Sequence, residues 1–406
     1  MENMAHFLLI LTSNAYQRSE NRNMTHKTDI SHLKPQTIWQ RFVTPVQIRD
    51  GHDNFFTPLR LLMAFLVVIG HASVIANRDL NAEPHLFFDY GFSYLAVNVF
   101  FIASGFLVTK SMTYRGDIED YSSARLLRIY PALIAHLLFV MFVIGPLSTS
   151  LPIWEYLTHS DVWKQPLLVL TFLNTDVILP GVFTGNEEQF ASAPLWTLRY
   201  ELIAYVLTAF VFALGLMRRK WMILAQFILP SIAWLVTKEL GIFETLSGTV
   251  QNCLRFGVAY GLGATFFAYK DRIKFHLLGF IIVTLLAFLL GNTPSVEIST
   301  NLFLGYGLML LAYMKAPKFS ALQKIPDISY GVYIYHWCLL QLFFQWFPAL
   351  SMWALLAIAV PVTIAISTLS WYWVEKPCLR AKIKLAQGLR FGKTRKPFNR
   401  GRILLD

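Results

Sequence analysis

Seven ionisable side chains fall inside otherwise apolar stretches: Arg60 and His71, His136, Arg199 and Glu201, Arg255, and His336. A charge at the centre of a bilayer costs at least ~2.5–3.5 kcal/mol, so such residues point to function or to a specific partner. Arg60 and His71 are eleven residues apart. On a helix that is three turns, so both project from one face with roughly 16 Å between them. His71 lies in Val-Ile-Gly-His-Ala, where Gly70 permits close approach; the plainer reading is a snorkelling Arg60 and a core His71 hydrogen-bonded to a backbone carbonyl. Counted along their helices, Glu201 and His71 lie at matching depths, some 9 Å below one surface. That predicts a hydrogen-bonded His–Glu pair, against the plainer reading of Glu201 as the partner of Arg199 or Arg255. Arg125 and Arg128, in Ala-Arg-Leu-Leu-Arg-Ile-Tyr-Pro, share a helical face at spacing i, i+3. They could grip a phosphate or pyrophosphate, or simply anchor the chain at the membrane surface. His136 reads as a satisfied core residue, and His336, among the aromatics of Tyr-Gly-Val-Tyr-Ile-Tyr-His-Trp, as a polar contact between helices.

The elements that carry these residues follow from composition. The chain of 406 residues is 55% hydrophobic and 15% aromatic, and only 15% of it is charged, against roughly 25% in an ordinary soluble protein. A soluble enzyme, a disordered chain and a nucleic-acid binder are excluded despite the net charge of +11. Cys253, Cys338 and Cys378 have no spacing that suggests a disulfide framework or a zinc site. The predicted fold is an all-α polytopic membrane protein. About ten stretches have the length and apolarity of a transmembrane helix: 58–77, 90–110, 129–148, 195–216, 221–237, 252–269, 275–291, 299–314, 328–347 and 351–374. Pro166–Leu179 is shorter, carries Asn174 and Asp176, and is expected to be re-entrant or interfacial. No β-strand is predicted. Gly257, Gly261 and Gly263 read as small residues that let helices approach.

With the N-terminus inside, 29 of the 35 Lys and Arg residues fall on the cytoplasmic side and only Arg78, Lys164 and Lys238 on the other. This predicts cytoplasmic termini and a multi-pass protein of the inner membrane. The expected organisation is a polar cytoplasmic segment 1–57, a membrane domain 58–377 and a basic cytoplasmic tail 378–406 that could lie on the anionic leaflet. A cleaved signal peptide is not expected, because the run Ala5–Leu11 lacks a basic segment before it, and Met24 is an alternative start.

Several blocks resemble the membrane acyltransferase-3 family, the group of O-antigen and exopolysaccharide O-acetyltransferases. Pro58-Leu59-Arg60…Gly70-His71-Ala72 resembles its opening Arg-x10-His signature, and Phe100-Phe101-Ile102-Ala103-Ser104-Gly105-Phe106 its second-helix motif. Arg125-Leu126-Leu127-Arg128-Ile129-Tyr130-Pro131 resembles its Arg-x-x-Arg motif, and Leu195-Trp196-Thr197-Leu198…Glu201 its Trp-Ser/Thr-Leu…Glu motif. Arg255-Phe256…Gly261, Ser329-Tyr330-Gly331…Tyr335-His336 and Trp373-Val374-Glu375-Lys376-Pro377 complete the order. Val97-Asn98 stands where many members have Gly-Asp or Gly-Val. Some members carry an additional periplasmic esterase-like domain; none is expected here.

The resemblance implies transfer of an acyl group, usually acetyl, from cytoplasmic acyl-CoA to a sugar hydroxyl of a cell-surface or lipid-linked glycan. It implies His71 and Glu201 as catalytic residues, with His71 acting as base or as a transient acyl carrier. Arg60, Arg125 and Arg128 become candidates for the donor, here acetyl-CoA or another acyl-CoA, and Trp196, Arg255, Tyr335 and His336 substrate-binding or structural candidates. No metal and no tightly bound cofactor is expected. The implied partners are acyl-CoA, the saccharide acceptor and the lipid bilayer, with a homo-oligomer left open. The competing class is a proton-coupled transporter or glycan flippase in which Arg60, His71 and Glu201 relay protons; no repeat symmetry supports it. A glycan polymerase is a further alternative, and the moderate loop 149–194 speaks against it.

Overall fold

The computed structural model describes residues 42–49 and 54–381; those from Pro45 onward belong to one compact unit. The run Ala5–Leu11, Met24 and the basic tail beyond Ala381 lie outside the described residues. Eleven α-helices of more than ten residues organise the described residues: α1 Phe56–Asn77, α2 Phe92–Arg115, α3 Ile118–Phe139, α4 Ser160–Leu170, α5 Trp196–Ala213, α6 Lys220–Glu239, α7 Gly248–Ala268, α8 Leu277–Leu289, α9 Val296–Tyr313, α10 Ser329–Trp346 and α11 Met352–Ser370. All ten apolar stretches read from the sequence are helical. Seven helices among the described residues are long and apolar enough to cross a membrane. The other three depart for visible reasons. α8 is only 13 residues long, α7 carries Gln251, Asn252 and Arg255, and α10 carries His336, Gln341 and Gln345. α4, with 11 residues, is too short to cross and leaves Trp163 and Leu167 exposed; it takes in only 166–170 of the stretch Pro166–Leu179, the rest of which is turn and irregular chain.

One small hairpin, β1 His85–Phe87 and β2 Tyr90–Gly91, departs from the expectation of no strand. Its turn is formed by Phe88 and Asp89, both at positive φ.

The helices pack in the order α6, α7, α2, α1, α10, α11, with α9 against α2 and α7 and α3 across α2, α5 and α10. The α2–α7 contact is backbone against backbone. A Cβ on Gly105 would collide with the Tyr260 carbonyl, and one on Gly263 with the Ile102 carbonyl. The reading of Gly263 as a packing residue therefore holds, and Gly105, within the second-helix block, has the reciprocal role.

Local signals place the basic residues. Gly116 at positive φ ends α2, and the Asp117 side chain accepts from the Asp120 N–H to open α3. This abrupt reversal brings Arg115, in the last turn of α2, beside Arg125, two turns into α3. α3 continues through a π-turn at Val140–Ile144, where the Tyr156 hydroxyl donates to the Met141 carbonyl at 2.9 Å.

Candidate active site

A cavity of about 500 Å³ lies among α1, α2, α3, α5 and α10, well within the usual range for small-molecule sites. Arg115 and Arg125 line one end; Val97, Thr197 and Tyr333 line the other, with Phe100, Phe101 and Ser104 along its wall. From Val97 to Arg115 it follows α2 for about 27 Å at the helical rise. It is therefore long and narrow, basic at one end and aromatic at the other. The Thr197 and Tyr333 hydroxyls are joined at 2.8 Å at the apolar end, and the Tyr333 ring lies 6.3 Å from that of His336.

Just beyond that end stands a histidine pair. His71 Nδ1 and His336 Nε2 are 2.8 Å apart, and His336 Nδ1 is 3.0 Å from the Val332 carbonyl. A carbonyl only accepts, so His336 Nδ1 carries the proton and its Nε2 offers a lone pair. His71 must then donate from Nδ1, which leaves the lone pair on His71 Nε2. That atom has no hydrogen-bond partner among the described residues, and the His71 ring is only half-buried, whereas His336 is fully buried. Trp337 packs edge-on to His71 at 5.0 Å and is itself tied to the Phe190 carbonyl. The arrangement fixes the tautomer of both rings and leaves His71 Nε2 as the nitrogen able to take up a proton.

The pairing of His71 with Glu201, expected from depth, does not form. Glu201 lines the cavity and accepts a hydrogen bond from the Tyr205 hydroxyl, one turn along α5. Depth along a helix fixes a level, not the direction in which the side chain points. Nor does Glu201 pair with Arg199 or Arg255: Arg199 reaches the Leu173 carbonyl at 3.4 Å.

The basic residues divide into two sets. Arg60 Nη1 and Arg128 Nη2 both meet Asp327 Oδ2, at 2.8 and 2.9 Å, and Arg128 Nη1 lies 3.7 Å from Glu375. Burial acts to raise the Asp327 pKa, but Arg128 and Arg60 outweigh it and hold the carboxyl well below the usual carboxylate range. Arg125 has no ion pair among the described residues. Its guanidinium lies over the rings of Tyr205 and Tyr121, at 5.4 and 5.9 Å, and its buried Nε lacks an acceptor. The two arginines of the i, i+3 pair therefore have different surroundings: Arg128 is neutralised, Arg125 is not.

The remaining candidates lie outside the cavity. Arg255 donates from Nε to Asn98 Oδ1 and from Nη2 to the Tyr94 carbonyl, both at 2.9 Å, and its guanidinium sits 3.3 Å over the Tyr94 ring. Asn98, Asn301 and the Tyr94 hydroxyl in turn donate to the fully buried Glu297. This network binds α2, α7 and α9, which makes Arg255 structural. Trp196 packs on Phe256 and Tyr200, and Tyr335 on His136 and Phe139. His136 bonds Ser192 Oγ at 2.8 Å through Nε2, while its buried Nδ1 lacks a partner, so its satisfaction is only half of what was expected. Asp327 and Glu297 had no signal in the sequence beyond being acidic residues near helix starts. Glu375 stood within a quoted block.

The profile of the acyltransferase-3 family, described as an acyltransferase domain, matches residues 54–372. The chain is 26% identical over 364 residues to nodulation protein 10 of Rhizobium leguminosarum bv. viciae, covering 83% of this chain and 96% of that one. It is also 26% identical over 340 residues to an O-acetyl transferase of Shigella phage Sf6, covering 82% and 98%. Protein 2 in the picA locus of Rhizobium radiobacter is 30% identical over 176 residues, 40% of this chain and 89% of that protein. No solved structure matches. With the family's domain running through α1, α2, α3, α5 and α10 around the cavity, the chain belongs to the acyltransferase-3 family of membrane acyltransferases.

Proposed function

We propose that the protein transfers an acetyl group from cytoplasmic acetyl-CoA to a sugar hydroxyl of a lipid-linked or cell-surface glycan presented at the opposite face of the inner membrane. The observation that carries this reading is the His71–His336 pair, with its one free lone pair, at the aromatic end of a cavity that is basic at the other. All ten apolar helices cross in this reading, and both termini are cytoplasmic. The distribution of basic residues supports that orientation, and a reporter at Lys220 should read as cytoplasmic and one within 180–190 as periplasmic. A reversed pattern would overturn the sidedness.

The donor enters from the Arg115–Arg125 end. Arg125 takes a phosphate of the nucleotide, since its charge, unlike those of Arg60 and Arg128, is not met by a carboxylate among the described residues. The elongated arm runs along α2, with the Glu201 carboxylate available to its amide N–H groups, and the thioester reaches the Thr197–Tyr333 end. The acceptor oxygen attacks the thioester carbonyl as His71 Nε2 takes its proton. Collapse breaks the C–S bond, and the proton passes from His71 to the departing thiolate, giving the ester and free CoA. His336 Nε2, accepting from His71 Nδ1, stabilises the imidazolium in between.

The test is transfer of isotope from labelled acetyl-CoA to glycan in membrane vesicles, with His71→Ala as control. Label in the glycan that depends on His71 supports the reading; saccharide movement without label would favour the flippase.

A further inference from the structure

We propose that the Arg60–Asp327 ion pair is a register pin. It fixes how far α1 is displaced along α10, so that His71 meets His336, and Arg60 is a positioning residue rather than a ligand of the donor. The proposal rests on the acyltransferase reading and concerns how its base is held.

The two contacts cross one seam. α1 carries Arg60 in its second turn and His71 three turns further on; Asp327 immediately precedes α10, and His336 lies two turns into it. Arg60 meets Asp327 at 2.8 Å and His71 meets His336 at 2.8 Å. An Arg and a His eleven residues apart share a helical face, so one neighbouring helix can engage both. Between them and just beyond the histidines the seam is apolar: Ala64, Val68 and Ala72 on α1 cluster with Val332, Trp337 and Leu340 of α10. Contacts of this kind hold two helices together without strongly choosing an axial position. A slip of a single residue rise, about 1.5 Å, is enough to move the 2.8 Å His71–His336 contact toward the limit of a hydrogen bond.

Asp327 is fastened on three sides. Its Oδ2 meets Arg60 and Arg128, and its Oδ1 accepts from Ser329 Oγ at 2.7 Å, at the first residue of α10. Arg128 carries the tie on to α3 and, through Glu375, to the segment after α11. Arg60 and Arg128 share the Asp327 carboxylate and Arg128 also faces Glu375, so both guanidiniums already meet acidic side chains, whereas Arg125 stands outside this cluster.

The decisive variant is Arg60→Gln, which leaves Asp327 its second guanidinium on Arg128. In vesicles with equal amounts of inserted protein, kcat should fall on the order of 10–10²-fold, the scale of loss when a reacting group is displaced by about 1 Å. KM for acetyl-CoA should stay within about twofold. Arg60→Lys, which restores a single charged contact to Asp327, should recover most of the turnover, and Asp327→Asn should reproduce the kcat loss. A raised donor KM at unchanged kcat in Arg60→Gln would make Arg60 a donor ligand and overturn the pin; so would normal kcat in that variant. If Asp327→Asn does not accumulate in the membrane, the two Arg60 variants decide alone. Absence of transfer by the wild-type protein would instead overturn the acyltransferase reading, so the two failures are told apart by the control.

Discussion

Replacing His336 with phenylalanine keeps a planar ring among its aromatic neighbours and removes both ring nitrogens. His71 then loses the acceptor for its Nδ1–H, a bond of 2.8 Å in the structure. Two effects follow. The neutral His71 ring is no longer confined to the tautomer with Nε2 free, and the imidazolium formed on proton uptake loses a hydrogen bond to its charged form. Hydrogen bonds to charged groups contribute about 1.5–3 kcal/mol, which at 1.36 kcal/mol per decade is a loss of roughly 10- to 150-fold in kcat. His71→Ala removes the base itself and should cost on the order of 10²–10⁴-fold. Because the two act as one unit, the double variant should be scarcely worse than His71→Ala. The assay is initial-rate transfer from labelled acetyl-CoA at saturating donor, normalised to inserted protein. His336→Phe at wild-type kcat, or a double variant whose loss is the product of the two single losses, would refute the argument.

Arg125→Ala should raise KM for acetyl-CoA several-fold with little change in thermal stability, whereas Arg128→Ala should lower the melting temperature of the detergent-solubilised protein by stranding Glu375 and leaving Asp327 with Arg60 alone; melting curves and donor titrations on both variants check the contrast. Gly263→Val should sharply reduce the amount of folded protein, because the added carbons meet the Ile102 carbonyl across α2 and α7; normal yield on membrane fractionation would contradict that contact. Asp327, with its folded-state pKa held down by Arg128 and Arg60, contributes stability that is fully present above the unfolded carboxylate pKa, near 3.9, and lost as pH falls through the lower folded value. The melting-temperature gap between wild type and Asp327→Asn should thus shrink as the buffer is taken below about pH 4.

The sequence made the helices legible because lipid demands continuous apolar runs, and every predicted run is a helix. It also marked His71, whose placement beside a glycine in an apolar stretch has few uneventful explanations. It did not show His71's partner. Counting residues from a helix end gave His71 and Glu201 the same depth, but a count carries no information about azimuth, which packing decides. His336 was visible only as one polar residue among aromatics, and nothing local to it signals α1. Arg60 and Arg128 looked like phosphate ligands because their neutralising carboxylate, Asp327, lies some 200 residues or more away in sequence.

The Thr197–Tyr333 contact at the end of the cavity bears on the permeability of the bilayer. A site that joins a donor on one face to an acceptor on the other risks becoming a leak for ions and water. Here the cavity lining stops at two buried side chains joined at 2.8 Å, and next along α10 stands the histidine pair rather than an open channel. In the proposed reaction an acyl arm passing this point would part the two hydroxyls and fill the opening it makes, so the breach and its stopper would arrive together. Such a protein could be abundant in a membrane without discharging the ion gradients that the membrane maintains.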